Sequence, residues 1–231
     1  MSLSKVIEIA TLELGVTENP PGSNCVKYND AYYGRTVSGK GYPWCVVFLW
    51  WIFQEAQERM AFFGGGRTAS CGTLLRWYRE QGMTVDVTDI RVGDIVILNF
   101  SGTKETQHCG LVTGRSDIIN LSTGMPYSIW TIEGNTSSSD GSQSNGGMVC
   151  EKTRYPSQIV GVCRPQYKPE EPEKTDDITG RWSEADIRWC IANSLMEGYP
   201  DGSWKPKQAV SREELAVVLR RFHNRFMEDK Q

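Results

Sequence analysis

The chain has 231 residues, and its 25 Lys and Arg against 28 Asp and Glu give a formal net charge of -3. With 39% hydrophobic and 23% charged residues, its composition is that of a globular protein and excludes collagen-like, coiled-coil and fully disordered chains. The near-neutral charge argues against a nucleic-acid partner, which a basic excess would indicate. The longest apolar run, residues 45–53, is about half of what a bilayer-spanning helix needs, so we expect no membrane span.

The N-terminal segment carries scattered charges and no apolar core that ends in a cleavage site, so it does not have the pattern of a secretory signal. We therefore expect synthesis in the cytoplasm and reduced cysteines. The seven cysteines cannot all pair within one chain because their number is odd. Only two histidines occur, His108 and His223, so any Cys–His chemistry has few arrangements open to it.

A change of composition divides the chain. Residues 165–176 contain Pro, Glu and Lys and almost no apolar side chains, which indicates a stiff, solvated linker. We predict a first domain over residues 1–164 and a small second domain over residues 177–231. The second domain is near the lower size limit for independent folding.

Apolar residues at helical spacing predict three helices in the first part of the chain: residues 4–15, 44–57 and 70–81. Ser4 and Ser70 are the predicted N-caps of the first and third helices. The segment between the first two helices is rich in Gly, Pro and Asn and is predicted to be mostly ordered loop. The second helix is apolar almost throughout, which predicts that it is buried.

After Gly82 the apolar period changes to that of strands. Short runs rich in β-branched residues alternate with turn residues: VGDIVILNF, HCGLVTG, SIWTIEGN, GGMVCEK and IVGVCRP. Helices followed by a series of strands predict an α+β fold with an antiparallel sheet.

Cys45 is the first candidate nucleophile. It lies in the first turn of the predicted buried helix, where unpaired N–H groups and the positive end of the helix dipole favour a thiolate and can stabilise an oxyanion. Taken alone, such a cysteine is more often a small core residue.

Cys71 also begins a helix and is the second candidate nucleophile. Four other cysteines stand in loop or strand contexts and are predicted to be packing residues: Cys25, Cys109, Cys150 and Cys163. The remaining one, Cys190, lies in the small domain. The chain contains no C-x-x-C or H-x-x-x-H pair, so zinc is not expected.

His108 begins a predicted strand, with Gly110 on the same face and Cys109 on the other. A lone histidine in this place is more often a surface or structural residue than a catalyst. Glu133 and Asn135 share strand parity, so both could project towards His108 and orient its imidazole.

Six stretches of the first domain, in order, resemble the cysteine, histidine-dependent amidohydrolase/peptidase (CHAP) family found in phage-type endolysins: SNCVKYNDAYYG, GYPWCVVFLWWIF, VGDIVILNF, HCGLVTG, TIEGNT and GGMVCEKTRYPSQIVGVCRP. The resemblance implies a papain-like α+β domain whose substrate is bacterial peptidoglycan. It implies Cys45 as nucleophile, His108 as general base, Glu133 as the residue that orients the histidine and Asn135 as an auxiliary polar group. Some members carry an Asp-rich calcium loop before the nucleophile. Here only Asp30 occurs there, so neither calcium nor another cofactor is expected.

The second domain is predicted to be two helices, capped by Ser183 and Ser211, around a turn-rich loop at residues 198–204. Glu214 stands where it completes a capping box with Ser211. The stretches GYPDGSWKP and VSREELA resemble a single S-layer homology (SLH) repeat. The resemblance implies binding of anionic secondary cell-wall polysaccharide through five residues: Trp182, Asp201, Gly202, Trp204 and Arg212.

Two alternatives stay open for this domain. Trp182 and Trp204 could be core residues of a tiny domain rather than stacking faces for a sugar. SLH repeats usually come in threes, so one copy binds weakly, and association of chains through this module into a homo-oligomer would raise the avidity. His223 is predicted to be a solvated residue at a helix end.

Together these patterns predict an endolysin-like peptidoglycan hydrolase tethered to a wall-binding module, made in a bacterial host cytoplasm and acting at the cell wall. The predicted scissile bond is the N-acetylmuramoyl-L-alanine amide, with a peptide bond of the stem or cross-bridge as the alternative. Two further classes are a non-catalytic wall-binding protein and an intracellular cysteine protease. The intact site residues argue against the first, and the wall-type second module argues against the second.

Overall fold

A computed structural model describes residues 3–138, 141–169 and 176–227. The chain forms two compact units, Met1–Glu170 and Glu171–Gln231. Within these described ranges, no helix is long and apolar enough to cross a membrane.

The first unit continues through Tyr167, past the boundary predicted at residue 164. The Tyr167 hydroxyl donates to the Gly93 carbonyl at 2.6 Å, and its ring stacks on Phe53. Of the predicted linker, residues 170–175 lie outside the described residues.

In its described part, the first unit has four α-helices: α1 (Leu3–Leu12), α2 (Lys27–Tyr33), α3 (Cys45–Glu55) and α4 (Cys71–Glu80). Three of them correspond to the predicted helices. Ser4 lies inside α1 rather than in front of it. Ser70 caps α4 as predicted, because its hydroxyl accepts a hydrogen bond from the Thr73 N–H at 3.2 Å.

Helix α2 was not predicted, because its segment was expected to be mostly ordered loop. Its Asn and Asp residues have weak helix propensity, but tertiary contacts override that preference. Tyr28 and Asn29 are fully buried, and the Asn29 side-chain amide donates to the carbonyl groups of Asn24 and Tyr42 at 2.7 and 3.0 Å. The helix ends at Gly34, whose φ of 68° is left-handed.

Six strands form one sheet in the order β1-β6-β2-β3-β4-β5, and every pair is antiparallel: β1 (Thr84–Val85), β2 (Ile95–Leu98), β3 (His108–Arg115), β4 (Ile129–Thr136), β5 (Met148–Arg154) and β6 (Ile159–Cys163). The α+β fold with an antiparallel sheet is thus confirmed.

The sheet separates two apolar layers. Its first face packs with the helices in the main core and includes Ile97, Cys109 and Leu111. Its second face carries a smaller cluster that includes Val96 and Val112. Side chains alternate along a strand, so the predicted sidedness of β3 is confirmed, with His108 belonging to the second face.

Helix α3 lies in the middle of the main core. It packs against α1 and α2 and against strands β3 and β4. Its apolar residues face every side, which is typical of a helix that is buried all round. Strands β3 and β4 also carry His108 and Glu133, the residues predicted to act with Cys45.

The second unit contains α5 (Glu184–Ala192) and α6 (Arg212–Phe226). Ser211 and Glu214 form the predicted capping box at the start of α6. The cap predicted at Ser183 is wrong in one respect: Ser183 occupies the N-cap position of α5, but its side chain makes no capping hydrogen bond. The backbone N–H groups of Trp204 and Lys205 donate to the Asp177 carboxylate, which ties the turn-rich loop to the segment before α5.

Candidate active site

Cys45 is the first residue of α3, with Trp44 at the N-cap. The N–H groups of a first helical turn have no partner inside the helix, so they point at whatever lies beside Cys45. Trp44 fixes this helix start. Its indole N–H donates to the buried Glu18 carboxylate at 2.8 Å, and its ring packs on Tyr28 at 5.4 Å.

His108 is fully buried at the start of β3. Its Nε2 lies 3.1 Å from Glu133 Oε2, on the neighbouring strand β4. Its Nδ1 has no hydrogen-bond partner within the described residues. Since Nε2 is engaged by Glu133, Nδ1 is the nitrogen left to face the Cys45 thiol, which lies close enough to influence the pKa of His108.

Glu133 is held in place by two further side chains. Arg154 donates to both carboxylate oxygens, with Nε 2.8 Å from Oε1, and the Thr131 hydroxyl donates to Oε1 at 2.6 Å. Arg154 is itself buried and lies over the Phe100 ring at 4.7 Å. A bidentate Arg–carboxylate pair fixes the orientation of both groups.

Sequence reasoning missed Arg154 and Thr131. Thr131 shares the parity of Glu133 on β4, a signal that could have found it. Arg154 is brought to Glu133 by the pairing of β4 with β5, in which Arg154 lies opposite Ile129. That register cannot be read from the sequence.

Asn135 departs from the regular strand alternation on which its expected position depends, and among the described residues its side-chain hydrogen bonds go to partners other than His108. The register between β4 and β5 shifts after Glu133, and Asn135 has a φ of 60°. A bulge of this kind turns a side chain away from its regular direction. The Asn135 amide instead donates to Asn145 Oδ1 at 3.1 Å, and its Oδ1 accepts from the Gly147 N–H at 3.3 Å.

The structure also gathers three cysteines, which we call the thiol cluster: Cys45, Cys71 and Cys109. Their sulfur atoms all lie within 4.8 Å of one another, and the Sγ atoms of Cys45 and Cys71 are 3.8 Å apart. All three residues are buried and none is in a disulfide. Cys71 was the second candidate nucleophile and Cys109 was predicted only to pack, yet both lie beside Cys45.

The cluster favours ionisation of one thiol over the other two. Hydrogen bonding by Cys109 and then by Cys71, together with the nearby His108, holds the pKa of the Cys45 thiol well below its usual range against the effect of burial. Burial and the contact with Cys45 raise the pKa of Cys109. Cys109 lowers the pKa of Cys71, but the contact with Cys45 and burial outweigh it and the net pKa is raised. Cys45 is therefore the thiolate of the three.

The imidazole and the carboxylate complement that thiolate. Burial lowers the pKa of His108, but Cys45 and Glu133 outweigh it and raise the pKa to about 9. Burial would raise the pKa of Glu133, yet hydrogen bonds from Arg154 and His108 lower it to about 2. These shifts favour a thiolate beside an imidazolium that a carboxylate orients, which is the arrangement of an activated nucleophile.

Trp204 lines two grooves in the described part of the second unit, one of them together with Gly202, and neither groove includes all five predicted wall-binding residues. Trp182 is 92% exposed, so the alternative that it is a core residue is wrong, and Arg212 is exposed on the first turn of α6. Asp201 accepts hydrogen bonds from Ser203, and the adjacent Gly202 has a φ of 82°.

Trp204 is half-buried and lines a groove of about 380 Å³ between the turn-rich loop and α6. In the described part of the unit, this groove does not include the other four predicted residues. Any binding surface formed by all five would therefore extend beyond this groove.

A thiol at a helix start, an imidazole at a strand start and a buried carboxylate beside that imidazole are the groups that a cysteine-dependent hydrolase of the papain-like class requires. Residues 37–135 match the CHAP domain, and residues 174–216 match the S-layer homology domain. The chain therefore carries a CHAP domain followed by an S-layer homology domain. This pair implies a peptidoglycan hydrolase, amidase or peptidase, combined with cell-wall binding. No curated protein and no solved structure matches the chain significantly.

Proposed function

We propose that the chain is an endolysin-type N-acetylmuramoyl-L-alanine amidase, with Cys45 as nucleophile, His108 as general base and acid, and Glu133 as the residue that orients the imidazole. The observation that carries this proposal is the buried His108, whose Nε2 lies 3.1 Å from Glu133 Oε2 on strands that pack against α3, the helix that Cys45 begins. Arg154 is a positioning residue, because it acts on the reacting groups only through Glu133.

In the first step the Cys45 thiolate attacks the carbonyl carbon of the amide. A C–S bond forms, and the carbonyl electron pair moves onto oxygen, where N–H groups of the first turn of α3 stabilise the negative charge. His108 then gives its Nδ1 proton to the amide nitrogen. The C–N bond breaks, the amine leaves, and a thioester links the acyl group to Cys45.

In the second step a water molecule attacks the thioester carbonyl and loses a proton to His108 Nδ1. The C–S bond breaks, the carboxylic acid leaves, and the thiolate–imidazolium pair is restored. Throughout both steps Glu133 accepts the Nε2–H of His108, and its contacts with Arg154 and Thr131 keep Glu133 ionised and fixed.

The second unit supplies affinity for the wall in this proposal. Arg212 is an exposed cation at the start of α6, and Trp182 is an exposed aromatic face, which suit an anionic sugar polymer. A single module with these few contacts binds weakly, and association of chains through it would raise the avidity.

The test is mass spectrometry of purified peptidoglycan digested by the full-length protein, with Cys45→Ser as control. An amidase releases stem peptides with a free N-terminal alanine and leaves the glycan without peptide. New amino termini inside the stem or the cross-bridge would replace the amidase with an endopeptidase.

A non-catalytic wall-binding protein would give no new chain ends at all. The same digestion after alkylation of the thiols separates that outcome from a slow enzyme. We expect alkylation to abolish the fragments given by the untreated protein, since the thiolate of Cys45 is the attacking group.

A further inference from the structure

The thiol cluster contains two more sulfur atoms than hydrolysis uses. The proposed mechanism employs Cys45 alone, whereas Cys71 and Cys109 come from α4 and β3 and place their thiols against it. All three residues are less than one-tenth exposed. Grouped buried thiols from separate elements suit a ligand that several sulfur atoms can share.

The spacing of the sulfur atoms fits a metal ion. A tetrahedral Zn–S bond length of about 2.3 Å separates two thiolates on one zinc by about 3.8 Å. The Sγ atoms of Cys45 and Cys71 are 3.8 Å apart, and the third sulfur lies within 4.8 Å of both. Small rotations of the side chains would bring three thiolates onto one ion.

His108 precedes Cys109 in β3 but does not complete the cluster. Its ring is fully buried, and its Nε2 is engaged by Glu133. Only the three sulfur atoms share the mutual spacing of 4.8 Å, so the described residues supply three ligands and a solvent molecule would take the fourth tetrahedral position.

We propose that Cys45, Cys71 and Cys109 form a binding site for one soft divalent cation, such as Zn²⁺, and that its occupation stops hydrolysis. The binding part stands on the cluster alone, and the inhibition part rests on the proposed function. Three metal–sulfur bonds form and water molecules leave the ion. Cys45 binds as the thiolate, and the thiol protons of Cys71 and Cys109 leave for the solvent. The bound metal takes the electron pair with which Cys45 would attack a substrate.

The donor set also predicts which ions bind. Thiolate sulfur suits Zn²⁺, Cd²⁺ and Co²⁺, whereas Ca²⁺ and Mg²⁺ prefer oxygen ligands. Calcium and magnesium should therefore neither bind here nor displace a bound soft ion.

The binding test uses reduced, metal-free, full-length protein titrated with Co²⁺ under anaerobic conditions. We expect one equivalent to produce the visible absorption of tetrahedral, sulfur-bound Co²⁺, and Zn²⁺ to abolish it. Cys71→Ser and Cys109→Ser should each weaken Co²⁺ binding roughly tenfold or more, because even the loss of an outer partner of a metal ligand costs that much. Cys25→Ser is the control, since it removes a thiol outside the cluster.

Circular dichroism and thermal melting of the same samples show whether each variant is folded, and Cys71→Ala and Cys109→Ala replace any serine variant that is not. A Co²⁺ spectrum that is unaffected in folded variants of Cys71 and Cys109 overturns the site. Absence of the tetrahedral spectrum in the wild-type protein overturns it as well.

The inhibition test measures clearing of cell walls against Zn²⁺ concentration. One equivalent should stop the wild-type protein, a chelator should restore it, and Cys71→Ser should need roughly tenfold or more Zn²⁺ for the same inhibition. Equal inhibition of wild type and Cys71→Ser overturns the regulatory role. A protein that gives the Co²⁺ spectrum but cleaves no wall refutes the proposed function and leaves the metal site intact, so the two failures are distinguishable.

Discussion

The Cys45 sulfur differs from its two sulfur neighbours in what surrounds it. It alone combines the N-terminus of α3, two neighbouring thiols that lower its pKa and the imidazole of His108. Cys71 also begins a helix, but its pKa is raised. Both candidate nucleophiles thus begin a helix. What distinguishes Cys45 as the nucleophile is the imidazole of His108.

This difference predicts that Cys45→Ser lowers the rate of wall clearing about a thousandfold or more, as removal of a catalytic nucleophile does. Cys71→Ser should still clear walls, because it keeps the nucleophile and its base. Turbidity of a cell-wall suspension measures both variants, and melting temperatures confirm that they are folded. Near wild-type clearing by Cys45→Ser would disprove the mechanism.

Glu133 carries a structural duty besides orientation of the imidazole. Its carboxylate compensates the buried Arg154, so Glu133→Ala and Glu133→Gln should each lower the free energy of unfolding by about 3–5 kcal/mol, the usual cost of leaving one partner of a buried ion pair alone. Both should also reduce activity, Gln less than Ala because an amide can still accept the Nε2–H bond. Denaturant unfolding and initial rates measure the two effects.

The double variant Glu133→Gln with Arg154→Met is the control for that interpretation. It removes the uncompensated charge. It should therefore recover most of the stability that Glu133→Gln loses, without recovering activity. If the double variant is no more stable than the single one, the ion pair is not the source of the loss.

The pKa values predict the pH dependence of the metal-free enzyme, assayed with a chelator. Activity should fall as pH rises through about 9, where His108 loses the proton that it gives to the leaving amine. On the acid side the low pKa of Cys45 keeps the thiolate present well below the usual range of a thiol. A rate profile whose alkaline limb lies near pH 7 would contradict the assignment of His108.

His108 and Glu133 contribute to the pH dependence of stability. The pKa of His108 is raised to about 9, so its contribution is complete below about pH 6.5, the pKa of an unfolded histidine, and is lost as pH rises through 9. The pKa of Glu133 is lowered to about 2, so its contribution is present above about pH 4.3, the unfolded value, and is lost as pH falls towards 2. Both contributions to stability are therefore complete between about pH 4.3 and about pH 6.5.

At this scale the sequence predicts Cys45, His108 and Glu133, because each stands in a local pattern: a helix start, a strand start and a strand parity. Asn135 follows the same parity and is misplaced by a bulge, which local alternation does not reveal. The three cysteines of the thiol cluster come from distant segments of the chain. No short-range ligand spacing such as C-x-x-C therefore predicts the cluster from the sequence.

At the scale of elements, glycine decides how closely the catalytic strands approach their neighbours. A Cβ on Gly134 would lie 2.6 Å from Phe48 Cβ and 2.9 Å from the Trp44 ring, so β4 contacts the first turns of α3 without any intervening side chain. A Cβ on Gly110 would lie 2.7 Å from Glu133 Cγ, so Glu133 occupies the space that a side chain at position 110 of β3 would fill.

We expect Gly134→Ala to destabilise the first unit by about 1–3 kcal/mol, the typical cost of overpacking a core, and to reduce activity by shifting the start of α3. Gly41→Ala is the matched control, since a Cβ there meets nothing within 4 Å. Thermal melting of both variants tests the contact, and equal melting temperatures would refute it.

The sequence predicts α3 and α4 from apolar period and capping, whereas α2 was missed. Its seven residues have no such period, and α2 forms because Tyr28 and Asn29 are buried and Asn29 binds two loop carbonyls. Helices whose stability comes from tertiary contacts in this way are the ones that local propensity cannot predict.

At the scale of the whole molecule, two compact units divide chemistry from attachment. Residues 1–169 include Tyr167 and the Lys168 N–H that donates to Glu58, so a truncation should end after Pro169. That fragment should hydrolyse solubilised peptidoglycan like the full chain but lose affinity for intact walls. Sedimentation with purified walls measures the affinity, and undiminished binding by the fragment would contradict the division.

Within the second unit, Arg212→Ala should weaken wall binding about tenfold or more, since a hydrogen bond to a charged group contributes about 1.5–3 kcal/mol. Arg220→Ala removes the same charge from an exposed position of the same helix and serves as control. Equal losses in the two variants would indicate a general charge effect instead of a contact by Arg212.

The thiol cluster has a consequence for the thermal behaviour of the molecule. Its sulfur atoms come from α3, α4 and β3, so a bound ion would cross-link three elements of the main core. A ligand that binds only the folded state stabilises it by about 2.7 kcal/mol at a free concentration a hundred times its Kd. The inactive, metal-loaded protein would therefore survive heating better than the active one. A chelator would remove the ion and reactivate the enzyme. Thermal stability and lytic activity would therefore vary in opposite directions.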